Sequence, residues 1–471
     1  MEDMSSNQQE FNMIIENGYC IGCGVCNVAT NGVITNELDD SGCYRAAVPK
    51  AISEEESGRA LSCCPFSDRG KNEDEIGEEL FASDCKHNEM VGYYQGLYAG
   101  YVDEDDYRAK GTSGGLITWI LAELLKRKEV DAILHVTSDD SRASGKLFKY
   151  GISQNEEDVK RGAKSRYYPV ELSEALQHMK QVPGRYVVVG LPCFIKAVRK
   201  LSSIDPIIKE RVKYCVGLVC GHLKSKAFAD CFGWQVGISP GMLEEVDFRV
   251  KLPGRSAGNY GVYLRGAGIE ETQPTHNFLG CNWGHNFFRY SACNYCDDVF
   301  AETADVVVGD AWVKEYEKDP KGNSVVVVRN AHLRNIIEEG RNEKKLTLNE
   351  EPLDVIISSQ AGGLRDRREG LAYRLYLKKK KGLYYPQKRV IASKKNVSIP
   401  RRQVYRMRLL MEAESHASWK KAVEVDEFSQ FEKNMGHLIK RNKFLYANVS
   451  KLMKAKAKTA IRRLLLLGRI K

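Results

Sequence analysis

The 471-residue sequence has no apolar stretch long enough to cross a bilayer, which excludes a helical membrane span. It has no G-x-G-x-x-G and no Walker loop, so nicotinamide or ATP binding by those devices is not expected. No internal repeat of solenoid length occurs, which sets aside stacked-repeat architectures. The opening residues Met1-Glu2-Asp3-Met4-Ser5 carry acids where a secretory signal needs basic residues and an apolar run. A cytoplasmic protein is the expectation. What the sequence does have is cysteine, fourteen of them. In a chain that is not secreted, such thiols bind metal or carry redox chemistry more often than they form a disulfide framework.

The length predicts about three domains. Charge divides the chain unevenly: the net +9 arises from about +21 over residues 371–471 and −12 before them. An acidic body with a basic appendage, divided near Leu371, meets an anionic partner by this reading. Between Gly92 and Val328 the pattern alternates strands and helices. Leu116, Ile120, Leu121 and Leu124 lie on one helical face, and β-branched runs at Val130–Val136, Tyr186–Gly190, Val212–Val219, Ala304–Val308 and Ser324–Val328 predict strands. The expected fold is α/β with a mixed sheet. Glu73–Glu79 reads as a linker or solvated helix.

Cys20-x-x-Cys23-x-x-Cys26 matches the first three ligands of a bacterial ferredoxin 4Fe-4S run, in which a tight glycine-containing loop lets three thiolates reach one cube. The first run has Thr30 and Asn31 where its own Cys-Pro would stand, which leaves Cys63-Cys64-Pro65 to complete the set. Cys64 is the expected fourth ligand and Cys63 its competitor. The same thiolates in a zinc site are the alternative. Cys193 at a strand-to-helix turn, Cys220 at a strand end and the Cys293/Cys296 pair form a dispersed second set that would suffice for another cube. The remaining cysteines are expected to be structural. Gly111-Thr112-Ser113-Gly114-Gly115 opens a helix, where free N–H groups favour a phosphate or a flavin carbonyl; an N-capped turn is the competing reading.

Taken in order, Cys20-x-x-Cys23-x-x-Cys26, Ser113-Gly114-Gly115, Lys164-Ser165-Arg166-Tyr167, Gly190-Leu191-Pro192-Cys193, Cys220-Gly221-His222 and Cys293-x-x-Cys296 leading to Ala304–Trp312 resemble the β-subunit family of coenzyme F(420)-reducing hydrogenases and dehydrogenases. The resemblance spans residues 15–370. It implies a ferredoxin-like module (1–70) and a two-part α/β body that binds FAD (90–170 and 171–370); the charge pattern adds a basic helical tail (371–471). The resemblance also implies two 4Fe-4S clusters, on Cys20, Cys23, Cys26 and Cys64 and on Cys193, Cys220, Cys293 and Cys296. Flavin contacts fall on Ser113, Gly114, Gly115, Lys164, Ser165 and Tyr167. The chain departs from the pattern in its shortened second ferredoxin run, in Gly221-His222 where relatives often have His-Gly, and in its long tail.

The function expected is that of an iron-sulfur flavoprotein oxidoreductase. It takes electrons from ferredoxin or a similar one-electron donor and reduces an organic substrate, in surface-polysaccharide synthesis by the narrowest reading. The alternatives are a non-catalytic electron-transfer subunit and a structural zinc protein. The tail, with Leu445, Val449, Leu452, Ala460, Ile461, Leu464 and Leu465 at helical spacing among basic residues, lies on an anionic membrane surface, docks on an acidic partner, or packs on the body. No nucleic-acid partner is expected.

Overall fold

The computed structural model describes residues 5–141 and 145–467, with side chains to Lys451. The N-terminal segment is built from helices Ser6–Glu16, Val25–Ala29 and Glu54–Cys63 around a hairpin of β1 (Thr35–Leu38) and β2 (Tyr44–Ala47). A second hairpin, β3 (Lys86–Asn88) and β4 (Gly92–Tyr94), follows the helix Glu73–Phe81. That helix has an Asn72/Glu75 capping box at its start. It is the helix expected, solvated along Asp74, Glu75, Glu78 and Glu79, and it is anchored on its other face, where Glu73 is buried and pairs with Lys196 at 3.0 Å.

β5 (Gly96–Val102), β6 (Ala132–Ser138), β7 (Phe148–Ser153), β8 (Tyr186–Gly190) and β9 (Val212–Leu218) enter the central sheet. β10 (Leu243–Val250), β11 (Gly261–Gly266) and β12 (Ile269–Pro274) form a separate antiparallel sheet. β13 (Val306–Asp310), β14 (Ser324–Val328) and β15 (Leu346–Glu350) return to the first. Its order is β15-β5-β14-β13-β9-β8-β6-β7. β13, β9, β8 and β6 pair in parallel and the rest antiparallel, so the sheet is mixed, as expected from the sequence.

The Val-rich strands are buried on both faces, as a sheet covered on both sides requires. Val187 and Val189 join Trp119 and Ile133 in one core, while Val188 faces the other core with Leu134 and Phe194. The second core is continuous from the N-terminal helices through the sheet to Leu371 and Leu375. The boundary expected near Leu371 therefore falls inside a packed helix, Leu371–Lys380. Beyond it, helices Ile399–Glu424 and Phe428–Leu467 form a hairpin. Met407, Met411, Trp419, Phe431 and Met435 of this hairpin pack with Phe232, Phe248 and Phe288 of the body in a third core. Val449 is buried and Leu445 packs on the same core. The later positions of the amphipathic pattern, Leu452 to Leu465, have side chains outside the described residues. No described helix is long and apolar enough to cross a membrane.

One edge of the central sheet collects the functional motifs. β6, β8, β9 and β13 run in parallel and end on it, and β5 shares their direction because β14 between it and β13 runs the other way. Ligands bind at this edge in open α/β sheets.

Candidate functional site

Cys20, Cys23 and Cys26 sit on a loop that turns twice through positive φ, at Gly22 (62°) and Gly24 (81°). A Cβ at Gly22 would collide with Tyr44, and one at Gly24 with the Glu171 carboxylate, so the loop closes this tightly only with glycine. Cys63 and Cys64 end the helix Glu54–Cys63 and face the same hollow, which is walled by Phe11, Ile14, Tyr19, Ile21 and Phe66. Backbone N–H groups point at several of the sulfurs. Cys20 Sγ accepts from Gly22 at 3.4 Å and Ala46 at 3.3 Å. Cys64 Sγ accepts from Phe66 and Ser67, and Cys23 Sγ from Val25. Cys63 Sγ instead donates to the Ala60 carbonyl of its own helix, at 3.3 Å. Burial, and then the neighbouring thiols, push the Cys23 and Cys26 thiols well above the ordinary range.

The four dispersed cysteines come together. Cys193 enters the first turn of the helix Pro192–Ser202, Cys220 follows β9, Cys293 lies within the turn Ser291–Tyr295 and Cys296 directly follows it. Cys193 feels the charges of Cys296, Cys220 and Cys293 and also that of Cys23, so the two groups of thiols are neighbours. Tyr150, whose hydroxyl donates to the Val189 carbonyl at 3.0 Å, lies beside both Cys193 and Cys23. Cys293 Sγ accepts from the Leu223 N–H at 3.3 Å. Arg367 bonds the Cys220 and Gly221 carbonyls at 2.9 and 2.7 Å. Burial pushes the Cys220 thiol up to about 12, with Arg367 opposing. Among the described residues, no group of three or more His, Cys, Asp or Glu side chains has the spacing to hold a metal ion. A tetrahedral zinc site would need sulfurs about 3.8 Å apart, given Zn–S bonds near 2.3 Å.

Cys220 lines a cavity of about 780 Å³ at the strand-end edge. This is the size of a cofactor or drug-sized ligand site. At one end stands the glycine loop. There Ser113 Oγ donates to the Asn323 carbonyl at 2.5 Å and the Gly114 N–H to Ser324 Oγ at 3.1 Å. These two groups are thus spent on the start of β14, while Gly115 starts the helix Leu116–Lys126 at φ 82°. Gly111, Thr112, Ser113 and Gly115 line the cavity. The Ser165 N–H is spent on Thr112 Oγ1 at 2.8 Å. Lys164 adopts φ 99° and pairs with Asp247 at 3.1 Å. A non-glycine residue at such an angle is strained, and strain of this kind clusters at functional sites.

From there a row of side chains runs toward Cys220. Arg249 pairs with Asp310 at 3.1 Å, stacks 4.1 Å over Tyr260 and bonds the Tyr167 hydroxyl at 3.3 Å. Tyr167 meets Trp283 at 4.9 Å, and Trp283 meets His222 at 4.4 Å. Burial first, and then Lys224 and the nearby arginines, hold His222 well below the ordinary imidazole range. The structure thus brings Ser113, Gly115, Lys164, Ser165, Tyr167 and Cys220 to one cavity wall, with Gly114 packed behind it. Sequence reading missed Arg249, Tyr260, Lys224, Arg289, Arg367 and Arg408, which no local motif marks.

These features define a mixed-sheet α/β protein with a cofactor-sized cavity and two adjoining thiol groups at its strand-end edge. Residues 97–177 match the family model of the coenzyme F(420) hydrogenase/dehydrogenase beta subunit N-terminus, and residues 184–353 match that of its C-terminus, together more than half of the chain. The chain belongs to this family, as its motifs led us to expect. It is 25% identical over 362 residues to a coenzyme F(420)-dependent sulfite reductase of Methanocaldococcus jannaschii, covering 72% of this chain and 49% of the relative. The chain thus spans about half the length of that protein. A chain of the F(420)-reducing nickel-iron hydrogenase complex from Methanosarcina barkeri aligns with a TM-score of 0.48 at 18% identity, covering 64% of this chain and 99% of the other.

Proposed function

We propose that this chain is an iron-sulfur electron-transfer component that serves a flavin-type cofactor in its cavity and works with a partner enzyme. The observation that carries this reading is proximity: Cys193 of the second thiol group is within electrostatic reach of Cys23 of the first, and Cys220 of the second opens on the cavity. Such an arrangement suits Cys20, Cys23, Cys26 and Cys64 holding one cube and Cys193, Cys220, Cys293 and Cys296 another. The donor chemistry fits, because N–H groups aimed at Cys20, Cys23, Cys64 and Cys293 favour thiolates. When bound, a four-iron cube supplies single electrons and a flavin links one-electron to two-electron chemistry.

The chain's own residues then have definite tasks. At the glycine-loop end Lys164 and Arg249 would hold a pyrophosphate or flavin oxygen, and Tyr167, Trp283 and His222 would supply aromatic surface beside Cys220. The apolar walls of Phe11, Ile14 and Phe66 keep water from the first thiol group. FAD is the cofactor proposed, and a ferredoxin-type donor the partner of the N-terminal segment; the family name makes a deazaflavin the competitor for the cavity. The comparisons give no support to a role in surface-polysaccharide synthesis.

Anaerobic purification with iron, acid-labile sulfide, zinc and released cofactor quantified per chain tests the reading. About eight irons and one flavin per chain are expected. About four irons would overturn the second cube, and zinc without sulfide would overturn the redox reading altogether.

A further inference from the structure

Basic side chains crowd the Cys220 end of the cavity: Lys224, Arg289, Arg367 and Arg408 all line it. The first three are each 2% exposed. A buried cation is costly unless an anion answers it. Asp366 answers Arg289 at 3.2 Å and Arg374 and Arg408 at 3.0 Å each, so one carboxylate serves three guanidinium groups. Glu412, the other buried carboxylate here, is engaged by Asn294. Arg367 is committed to two carbonyls beside the thiols. Lys224 reaches only the Phe287 carbonyl, at 2.5 Å, and the faces of Phe228 and Trp283. Burial, with Arg289 adding to it, pulls Lys224 down to about 7.

Donors also remain unanswered. Among the described residues, the donors Arg289 Nε, Arg408 Nε and Asn286 Nδ2 are buried without a partner, as is the His222 ring nitrogen Nε2, donor or acceptor according to tautomer, and all four residues line the cavity. Asn286 is 2% exposed and His222 9%. This end therefore presents the unanswered N–H groups of Arg289, Arg408 and Asn286 beside Lys224, while Arg367 faces the thiols of the second group. It is separated from the glycine loop, Lys164 and Arg249 by the row Tyr167, Trp283, His222. Arg408 arrives from the C-terminal hairpin, where Tyr446 of the second helix bonds its guanidinium. Both residues lie beyond residue 353, where the family match ends.

We propose that the C-terminal hairpin completes a subsite, formed by Arg408 with Lys224, Asn286, Arg289 and His222, for the anionic group of the substrate that meets this cavity, a carboxylate or a sulfur or phosphorus oxyanion. The inference rests on the reading of the cavity as the redox site. It assigns the hairpin a role in selecting the substrate, beyond covering an apolar face.

The test titrates full-length, cofactor-loaded protein with acetate, sulfate and inorganic phosphate at constant ionic strength, by calorimetry and by the fluorescence of tryptophan. Saturable binding of at least one anion is expected, weakened tenfold or more by Arg408→Gln and unchanged by Arg406→Gln, an exposed arginine on the same helix. Should Arg408→Gln fail to fold, Lys224→Met carries the same expectation. No saturable binding to flavin-loaded wild-type protein overturns the subsite and leaves the redox reading standing. Equal weakening by Arg406→Gln also overturns it, as does binding only to flavin-stripped protein with displacement by FAD, because the cations would then belong to the cofactor pyrophosphate. Iron and flavin are assayed on the same samples. A preparation without either overturns the redox reading separately.

Discussion

The adjacent thiols Cys63 and Cys64 differ in what their sulfurs meet. Burial raises both thiols; at Cys64 two backbone N–H groups oppose it and favour the thiolate, while Cys63 Sγ donates to the Ala60 carbonyl of its own helix. Cys64→Ser should therefore lose about half of the iron bound per chain, and Cys63→Ser should retain it, by colorimetric iron assay on anaerobic preparations. That Cys20, Cys23 and Cys26 share one loop was legible because the spacing and the glycines between them lie within seven residues of sequence. The choice between Cys63 and Cys64 was not, because it depends on where the turn after the helix sends its N–H groups.

His135 gives a second residue-scale case. Its ring is buried, Nε2 meets Ser153 Oγ at 2.7 Å, and burial pulls its pKa down to about 4. A Cβ at Gly162 would collide with the imidazole, so glycine makes its place. The folded state holds the neutral ring, whereas the unfolded chain takes up a proton near pH 6.5. The stabilising contribution is thus complete above pH 6.5 and is lost as pH falls toward 4. Between pH 7 and pH 5 the loss from this group is about 2 kcal/mol. Urea denaturation of the wild type and of His135→Gln at both pH values checks it: the variant should lack that portion of the acid destabilisation.

At the scale of elements, strands and their ends were the readable part. The β-branched runs predicted at Tyr186–Gly190 and Ser324–Val328 are β8 and β14, residue for residue. What pattern does not reveal is a π-helical turn, Asp366–Gly370, between helices Ala361–Arg365 and Leu371–Lys380. Such turns are rare and gather at functional sites. This one sends Asp366 to three arginines and Arg367 to the carbonyl of Cys220. On the proposed cluster assignment, Arg367 places a positive charge beside the second cube and favours its reduced form. Removing a charge at roughly 7 Å in a medium of effective dielectric about 20 is worth about 2 kcal/mol, or on the order of 100 mV for one electron. Arg367→Gln should lower the potential of one cluster by that amount and leave the other within experimental error, as read by EPR-monitored redox titration.

For the molecule as a whole, the charge asymmetry takes on a different meaning from the one it suggested. Some of the basic residues after Leu371 meet acids of the same chain: Arg389 pairs with Glu302 and Asp74 at 2.6 Å each, Arg408 and Arg374 with Asp366, and Lys420 with Asp40 at 2.8 Å. Composition exposed the split, but it could not show that one half answers the other. Linear sequence also could not place Arg249, Arg289 and Arg408 in one cavity, since they are joined only when the sheet, the turn after β12 and the C-terminal hairpin pack. This arrangement predicts two outcomes for shortening the chain. Removing residues 452–471 leaves every described side-chain contact of the hairpin in place, so thermal stability and cofactor content should hold. Any binding to anionic vesicles that this truncation abolishes then belongs to those residues. Removing residues 399–471 strips the rings of Trp419, Phe428 and Phe431 from Trp234, Phe287 and Phe288. Each buried aromatic of this kind is worth about 1.5–3 kcal/mol, so the shorter chain should aggregate or elute as oligomers in size-exclusion chromatography. If it instead stayed monomeric and kept its melting temperature, the hairpin would be a dispensable appendage and its place in the cavity wall would carry no stability.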